Sequence, residues 1–200
     1  MKPEQDKTLE FYNHNADRFI DNTASVDMRV AQDRFLSRMK SSGTILDFGC
    51  GSGRDAEYFI KSGYRVDAVD GSAEIVRKTA ERTGLPVKQM LFRDLSAMDQ
   101  YDGIWACASI LHLPREELKS VIRKMSVAIR REGVIYASFK YGTFEGWRNG
   151  RFFTDFTEES FRTFLQDIYE LEITECWITA DVRPDRNDEK WLNLLLGKRQ

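Results

Sequence analysis

The residues with the most chemical character fall in one short run, Asp47-Phe48-Gly49-Cys50-Gly51-Ser52-Gly53-Arg54-Asp55. Glycines at alternate positions let a backbone turn tightly and let a ligand lie directly against it. The run follows an apolar stretch, 44–48, that reads as a buried strand, and it opens an amphipathic stretch, 55–61, that reads as a helix. Open α/β sheets bind ligands at such turns, outside the carboxyl ends of their strands. Two ligand chemistries compete for the place. The pattern G-x-G-x-x-G would seat a dinucleotide pyrophosphate on the helix N-terminus. Counted from Gly49, its sixth position is Arg54; counted from Gly51 it is Ala56, which a looser fingerprint tolerates. The carboxylate of Asp47 instead suits an ammonium group, or a backbone amide of the loop. A plain glycine turn is the third reading.

Two more acids follow at expected strand ends. Asp70 closes Val66-Asp67-Ala68-Val69-Asp70-Gly71, where a carboxylate can accept from both hydroxyls of a ribose. An Asp before Gly also serves as a simple turn former. Ser72, next along, reads as a helix N-cap. Asp94 lies in Leu91-Phe92-Arg93-Asp94-Leu95, past a third strand, where an acid can accept from the exocyclic amine of adenine. There are 2 histidines. His112 follows a fourth strand and is a candidate base if its pKa stays near neutral; its structural alternative is to cap or pack against the helix that starts at Pro114. His14 sits in the N-terminal helical stretch.

These residues need a scaffold. Residues 1–40 read as helical, and 41–43 as a loop. Beyond them, short apolar runs alternate with amphipathic helices. Strands are expected at 44–48, 65–69, 87–92, 103–108 and 134–139. Helices are expected at 55–61, closed by Gly63, at 73–82, and from Pro114 to a stop at Gly133. This alternation implies a parallel sheet covered on both faces. The tail differs: a helix at 158–166 precedes two apolar runs, 171–180 and 191–196, joined by a polar stretch with Pro184, Asp185 and Asn187. That pair reads as a hairpin, so one closing strand runs antiparallel. Between 141 and 156 lie Phe144, Trp147, Phe152, Phe153 and Phe156, with Lys140, Arg148 and Arg151 among them. The segment either folds over a ligand as an aromatic wall with cations for an anion, or is a hydrophobic cluster pinning the loop. The basic residues of the helix after Pro114 read as a solvated face.

Composition narrows the classes. A chain of 200 residues with 42% hydrophobic and 12% aromatic residues suits one globular domain. No apolar run approaches a membrane span, and the polar N-terminus is not a secretory signal, so a cytoplasmic location is the default expectation. A formal net charge of −2 argues against bulk-charge binding of nucleic acid. Cys50, Cys107 and Cys176 form no C-x-x-C pair, so no metal site is expected.

In their order, Asp47-x-Gly49-x-Gly51-x-Gly53, Asp70, Asp94, and Tyr101-Asp102-Gly103-Ile104-Trp105 leading to His112 resemble a class I methyltransferase, most closely over 40–140. Ser138-Phe139-Lys140-Tyr141-Gly142 is similar to the tellurite-resistance-type subgroup. The resemblance implies a Rossmann-like α/β fold with a mostly parallel seven-stranded sheet, an antiparallel closing strand and helices on both faces. It implies one methyltransferase domain over 1–200: a helical lid at 1–40, a cofactor-binding core at 41–140, and an acceptor-side loop, helix and hairpin at 141–200. The implied cofactor is S-adenosylmethionine, with S-adenosylhomocysteine as product. Asp47, Gly49, Cys50, Gly51 and Gly53 would lie along the methionine moiety. Asp70, with Gly71 and Ser72, would hold the ribose. Arg93, Asp94 and the Leu95 amide would read adenine, and Ala106 and Cys107 would face the methionine portion. Tyr12 and Phe19 would reach the cofactor from the lid, and His112 is the candidate catalytic base. The implied partner is a small-molecule acceptor, with neither nucleic acid nor membrane, and the chain is expected to be a monomer or homodimer. Cys107-Ala108-Ser109-Ile110 lacks the Pro-Pro-aromatic motif of amino-methylating DNA enzymes, and the cysteines do not form the cluster of arsenic methylation. A nicotinamide-dinucleotide oxidoreductase and a non-catalytic S-adenosylmethionine-binding protein are the alternatives.

Overall fold

The computed structural model describes residues 3–183, 186 and 188–199. Pro184, Asp185 and Asn187 of the expected tail connection, and Met1 and Lys2 of the expected lid, lie outside the described residues. Three helices come first: α1 (Pro3–His14), α2 (Ala16–Thr23) and α3 (Arg29–Leu36). The alternating part follows as β1 (Thr44–Phe48), α4 (Arg54–Lys61), β2 (Arg65–Asp70), α5 (Ala73–Thr83), β3 (Lys88–Gln89), β4 (Tyr101–Ala106), α6 (Arg115–Ala128) and β5 (Ile129–Lys140). The tail holds a hairpin, β6 (Glu145–Arg148) and β7 (Arg151–Thr154), then α7 (Glu158–Leu165), β8 (Leu171–Ala180) and β9 (Lys190–Lys198).

A 7-stranded sheet runs in the order β3-β2-β1-β4-β5-β9-β8. The strands from β3 to β5 pair in parallel, while β9 is antiparallel to both β5 and β8. This is the Rossmann-like methyltransferase fold expected from the sequence. Alternation along the strands covers both faces. Leu46, Ile104, Ile135 and Leu194 point into one cluster with Leu118, Ile122 and Met125 of α6 and Phe161 of α7. Ile45, Trp105, Tyr136 and Leu195 point into the other, with Phe35 of α3 and Phe59 of α4. Trp105 stacks on Tyr136 at 3.9 Å between ring centroids and donates its indole N–H to Asp55 at 2.9 Å. A smaller cluster joins Ala16 and Ile20 of α2 to Ile75 of α5. Among the described residues no helix is long and apolar enough to cross a membrane.

The sequence expectation differs from the structure in four places. The fourth strand runs Tyr101–Ala106 and not 103–108, because the chain turns at Cys107 and Ala108, where Ala108 has a φ of 49°. The third strand is not 87–92. Only Lys88 and Gln89 pair with β2, at an edge of the sheet, and the chain then turns through a 3₁₀ helix at Phe92–Asp94. Residues 90–92 were apolar because they face the interior, not because they extend a ladder. Gly133 does not end the long helix. The helix stops at Ala128, Ile129 already pairs with Tyr101, and the register jumps to Val134 opposite Gly103, leaving Gly133 in a bulge. The segment 141–156 is not an irregular loop. Asn149 (φ 51°) and Gly150 (φ 78°) form the left-handed pair that a two-residue hairpin turn requires, and β6 and β7 grow from it.

Candidate active site

The glycine loop is built by its neighbours. Gly49, Gly51 and Gly53 all have positive φ, at 90°, 52° and 76°. A Cβ on Gly49 would meet the Ser109 Cβ at 2.5 Å, and a Cβ on Gly51 would lie 3.0 Å from the Phe19 ring. The loop is pinned from behind by α5: the Thr79 hydroxyl donates to the Gly51 carbonyl at 2.6 Å, and Arg82 donates to the Ser52 carbonyl. Ser109 donates to the Phe48 carbonyl at 2.6 Å, which fixes the chain after β4 against the same turn.

Asp70 stands at the carboxyl end of β2. One carboxylate oxygen accepts from the Gly51 amide at 3.1 Å and the other from the Ser72 amide at 2.9 Å. Burial pushes its pKa up, and the backbone amides of Ser72, Gly51 and Gly71 oppose that rise. A cavity of about 620 Å³ opens here. Its wall includes Gly49, Cys50, Gly51, Asp70 and Gly71 at one part, Tyr12 and Phe19 from the N-terminal helices, and Cys107 and His112 from the chain after β4. Residues of the β6–β7 hairpin and of the β8–β9 turn complete it.

Other sequence candidates lie outside this wall. Asp47 is buried behind the loop. Its carboxyl accepts from the Ala56 amide, and one oxygen, Oδ2, has no partner; burial and the nearby Asp55 hold its pKa well above the usual carboxylate range. Gly53 caps α4, and a Cβ there would sit 2.8 Å from Thr79. Ser72 is fully buried: it caps α5 by accepting from the Ile75 amide and donates to Asn13 at 2.6 Å. Ala106 and Leu95 are buried in the core. Arg93 and Asp94 are exposed, because the 3₁₀ turn rotates them outward, and Met90, Leu91 and Phe92 line the cavity in their stead. The Cys50 thiol is buried with its pKa raised, and burial pushes the Cys107 thiol up to about 12, so both are neutral thiols.

His112 has both ring nitrogens committed. Nδ1 lies 2.7 Å from the Phe152 carbonyl, so it carries the proton, and Nε2 accepts from the Tyr12 hydroxyl at 2.8 Å. Burial lowers its pKa to about 4, helped by the nearby charge of Arg151. The ring is thus neutral at pH 7, held by α1 and the β6–β7 hairpin instead of capping the following helix. His14 is bonded to the Glu10 carbonyl at 2.7 Å and is outside the wall.

The structure adds residues to the wall beyond the cofactor candidates. Arg54 lines the cavity, ion-paired with Asp55 at 2.7 Å. Lys140, at the end of β5, bonds Asp181 at 3.3 Å and also Glu189, and lies 4.3 Å over the Trp191 ring. Burial lowers its pKa to about 8 in spite of Asp181. Asp181, Glu189 and Trp191 come from the ends of β8 and β9, so only the closing hairpin carries them here.

Residues 45–133 match the family described as a methyltransferase domain. The chain is 30% identical over 126 residues to the probable S-adenosyl-L-methionine-dependent methyltransferase TehB of Haemophilus influenzae, a match covering 59% of this chain and 43% of that protein. The chain thus spans less than half the length of that relative. In fold it resembles the Burkholderia thailandensis 1,6-didemethyltoxoflavin-N1-methyltransferase, a structure with bound 1,6-didemethyltoxoflavin and S-adenosylhomocysteine. The TM-score is 0.76 at 22% identity, over 100% of this chain and 92% of that one. It also resembles a TehB-like methyltransferase of Corynebacterium glutamicum, with a TM-score of 0.68 at 16% identity over 96% of this chain and 98% of that one. With its matched methyltransferase-domain segment, sheet order and glycine loop, the chain is similar to the class I S-adenosylmethionine-dependent methyltransferases, TehB-like ones among them.

Proposed function

We propose that the protein transfers the methyl group of S-adenosylmethionine to a small-molecule acceptor by in-line displacement. The observation that carries this reading is the shared cavity: Asp70 and the glycine loop line one part, and the two tail hairpins line another. The residues fit the cofactor. Gly51 and Gly71 have no side chain where one would collide with Phe19 or Leu9, and Asp70 keeps an amide-held carboxylate at the wall. Gly49, Cys50, Gly51, Asp70 and Gly71 would hold it, with Asp70 on the ribose. Residues 90–92, which line the wall, take over adenine contact from Asp94. Asp47, Gly53, Ser72 and Ala106 act from behind, fixing the loop and strand ends. When bound, the sulfonium supplies a methyl group already activated for displacement.

The chain's own work is then proximity, alignment and a dry site. The Phe19 ring, which lies against Gly51 and meets the Tyr12 ring edge-to-face at 5.1 Å, shields the glycine loop from water. His112 orients the Tyr12 phenol through its Nε2. In this arrangement it is a positioning residue and not a free base, and an acceptor that reacts as an anion needs none. Calorimetric titration with S-adenosylmethionine, S-adenosylhomocysteine and NAD tests the reading. Binding of the adenosyl ligands without NAD is expected; binding of NAD alone overturns it. Product formation from labelled S-adenosylmethionine separates an enzyme from a non-catalytic binder.

A further inference from the structure

The cavity wall holds several cations, and their pairing singles out one. Arg54 pairs with Asp55 at 2.7 Å, Arg148 with Asp155 at 2.6 Å, Arg183 with Asp181 at 2.5 Å, and Arg186 with Glu189 at 3.5 Å. Lys140 pairs with Asp181 and Glu189, and Lys190 is exposed. Arg151, the first residue of β7, pairs with no carboxylate among the described residues. Its Nη1 makes one long bond to the Tyr12 hydroxyl, at 3.4 Å, and its Nε is buried without a partner. Rings surround the guanidinium: Phe11 at 4.6 Å, Phe153 at 5.1 Å and Tyr12 at 5.8 Å.

A partly desolvated guanidinium with an unmet N–H is costly until an anion reaches it. Its planar fork matches a carboxylate in two parallel hydrogen bonds. The rings beside it offer faces and edges to a planar ligand. Arg151 meets rings and a hydroxyl of α1 and β7 and not the glycine loop, where Arg54 already stands. Building on the methyltransferase reading, we propose that the methyl acceptor is an aromatic carboxylate, held by the Arg151 guanidinium beside Tyr12 and Phe153 of the cavity wall.

The test uses the full chain saturated with S-adenosylhomocysteine, titrated calorimetrically with benzoate and with its neutral isostere benzamide. Wild type is expected to bind benzoate at least tenfold more tightly than benzamide. Arg151→Met should bring the two within threefold, and Arg151→Lys, which keeps the charge without the fork, should fall between. S-adenosylhomocysteine affinity should stay within threefold in both variants. Should Arg151→Met fail to fold by circular dichroism, Arg151→Lys carries the comparison. No acid preference in wild type, including no binding of either probe, overturns the proposal, as does a preference that persists without Arg151. A tenfold loss of S-adenosylhomocysteine affinity with the benzoate preference intact also overturns it, and assigns the guanidinium to the cofactor's own carboxylate. Failure of wild type to bind S-adenosylhomocysteine at all would instead sink the methyltransferase reading.

Discussion

The Tyr12 hydroxyl donates to His112 Nε2 at 2.8 Å, tying the first helix to the segment that follows the fourth strand. Two neighbouring bonds reinforce the closure: the Thr8 hydroxyl accepts from the Phe152 amide at 3.1 Å, and Asn13 accepts from the Ser72 hydroxyl at 2.6 Å. The N-terminal helix is therefore latched to the hairpin and to α5 across the cavity.

Removing the phenol hydroxyl in Tyr12→Phe leaves a buried imidazole nitrogen without its donor, at a cost of about 1–3 kcal/mol. Thermal melts should show the drop, and stopped-flow release of S-adenosylhomocysteine should quicken. A melt and an off-rate both equal to wild type would mean the bond does not hold the lid.

His112 also sets a pH dependence. Its folded pKa of about 4 lies below the ordinary histidine value of 6.5, so the unfolded chain takes up the proton first as pH falls. Stability from this residue is complete above about pH 6.5, falls between there and about pH 4, and levels off below. Over that window it amounts to about 3 kcal/mol. Asp47, Asp70 and Asp155, whose pKa values are raised, act in the opposite sense, so the measurement is a difference. Urea unfolding of wild type and His112→Gln across pH 4–7 should diverge in slope; parallel curves refute the assignment.

Asp70→Asn keeps the shape of the side chain but removes the charge and one acceptor oxygen. Loss of a charge-assisted hydrogen bond predicts a rise in the dissociation constant for S-adenosylhomocysteine of roughly 10- to 100-fold, without loss of circular-dichroism signal. An unchanged constant removes Asp70 from the cofactor site.

Gly49 and Gly63 share a φ of 90°, but a Cβ on Gly63 has nothing within 4 Å whereas one on Gly49 meets Ser109 at 2.5 Å. Gly63→Ala should therefore cost about 1–2 kcal/mol, the left-handed backbone alone. Gly49→Ala should cost about 1–3 kcal/mol more through overpacking. Equal denaturation midpoints for the two variants would mean that the loop yields at Ser109.

The sequence by itself determined the α/β alternation, the antiparallel closing strand and the loop from Asp47 to Gly53. These rest on local rules: side-chain periodicity within one element, and glycine where the backbone needs positive φ. It also set Asp70 at a strand end. The Asn149-Gly150 turn was equally local, and its dipeptide was the available signal for the hairpin. Only the tertiary structure decided that residues 90–92 and not Asp94 line the cavity, because a 3₁₀ turn fixes which way each side chain points. It alone joined Tyr12 to His112, and it alone left Arg151 without a carboxylate among the described residues. Lys140, Arg148 and Arg151 look alike in the chain. Their difference comes from Asp181, Glu189 and Asp155, carboxylates that packing brings beside the first two and not the third. Charge pairing is set by distances across the fold, and no spacing along the chain encodes them.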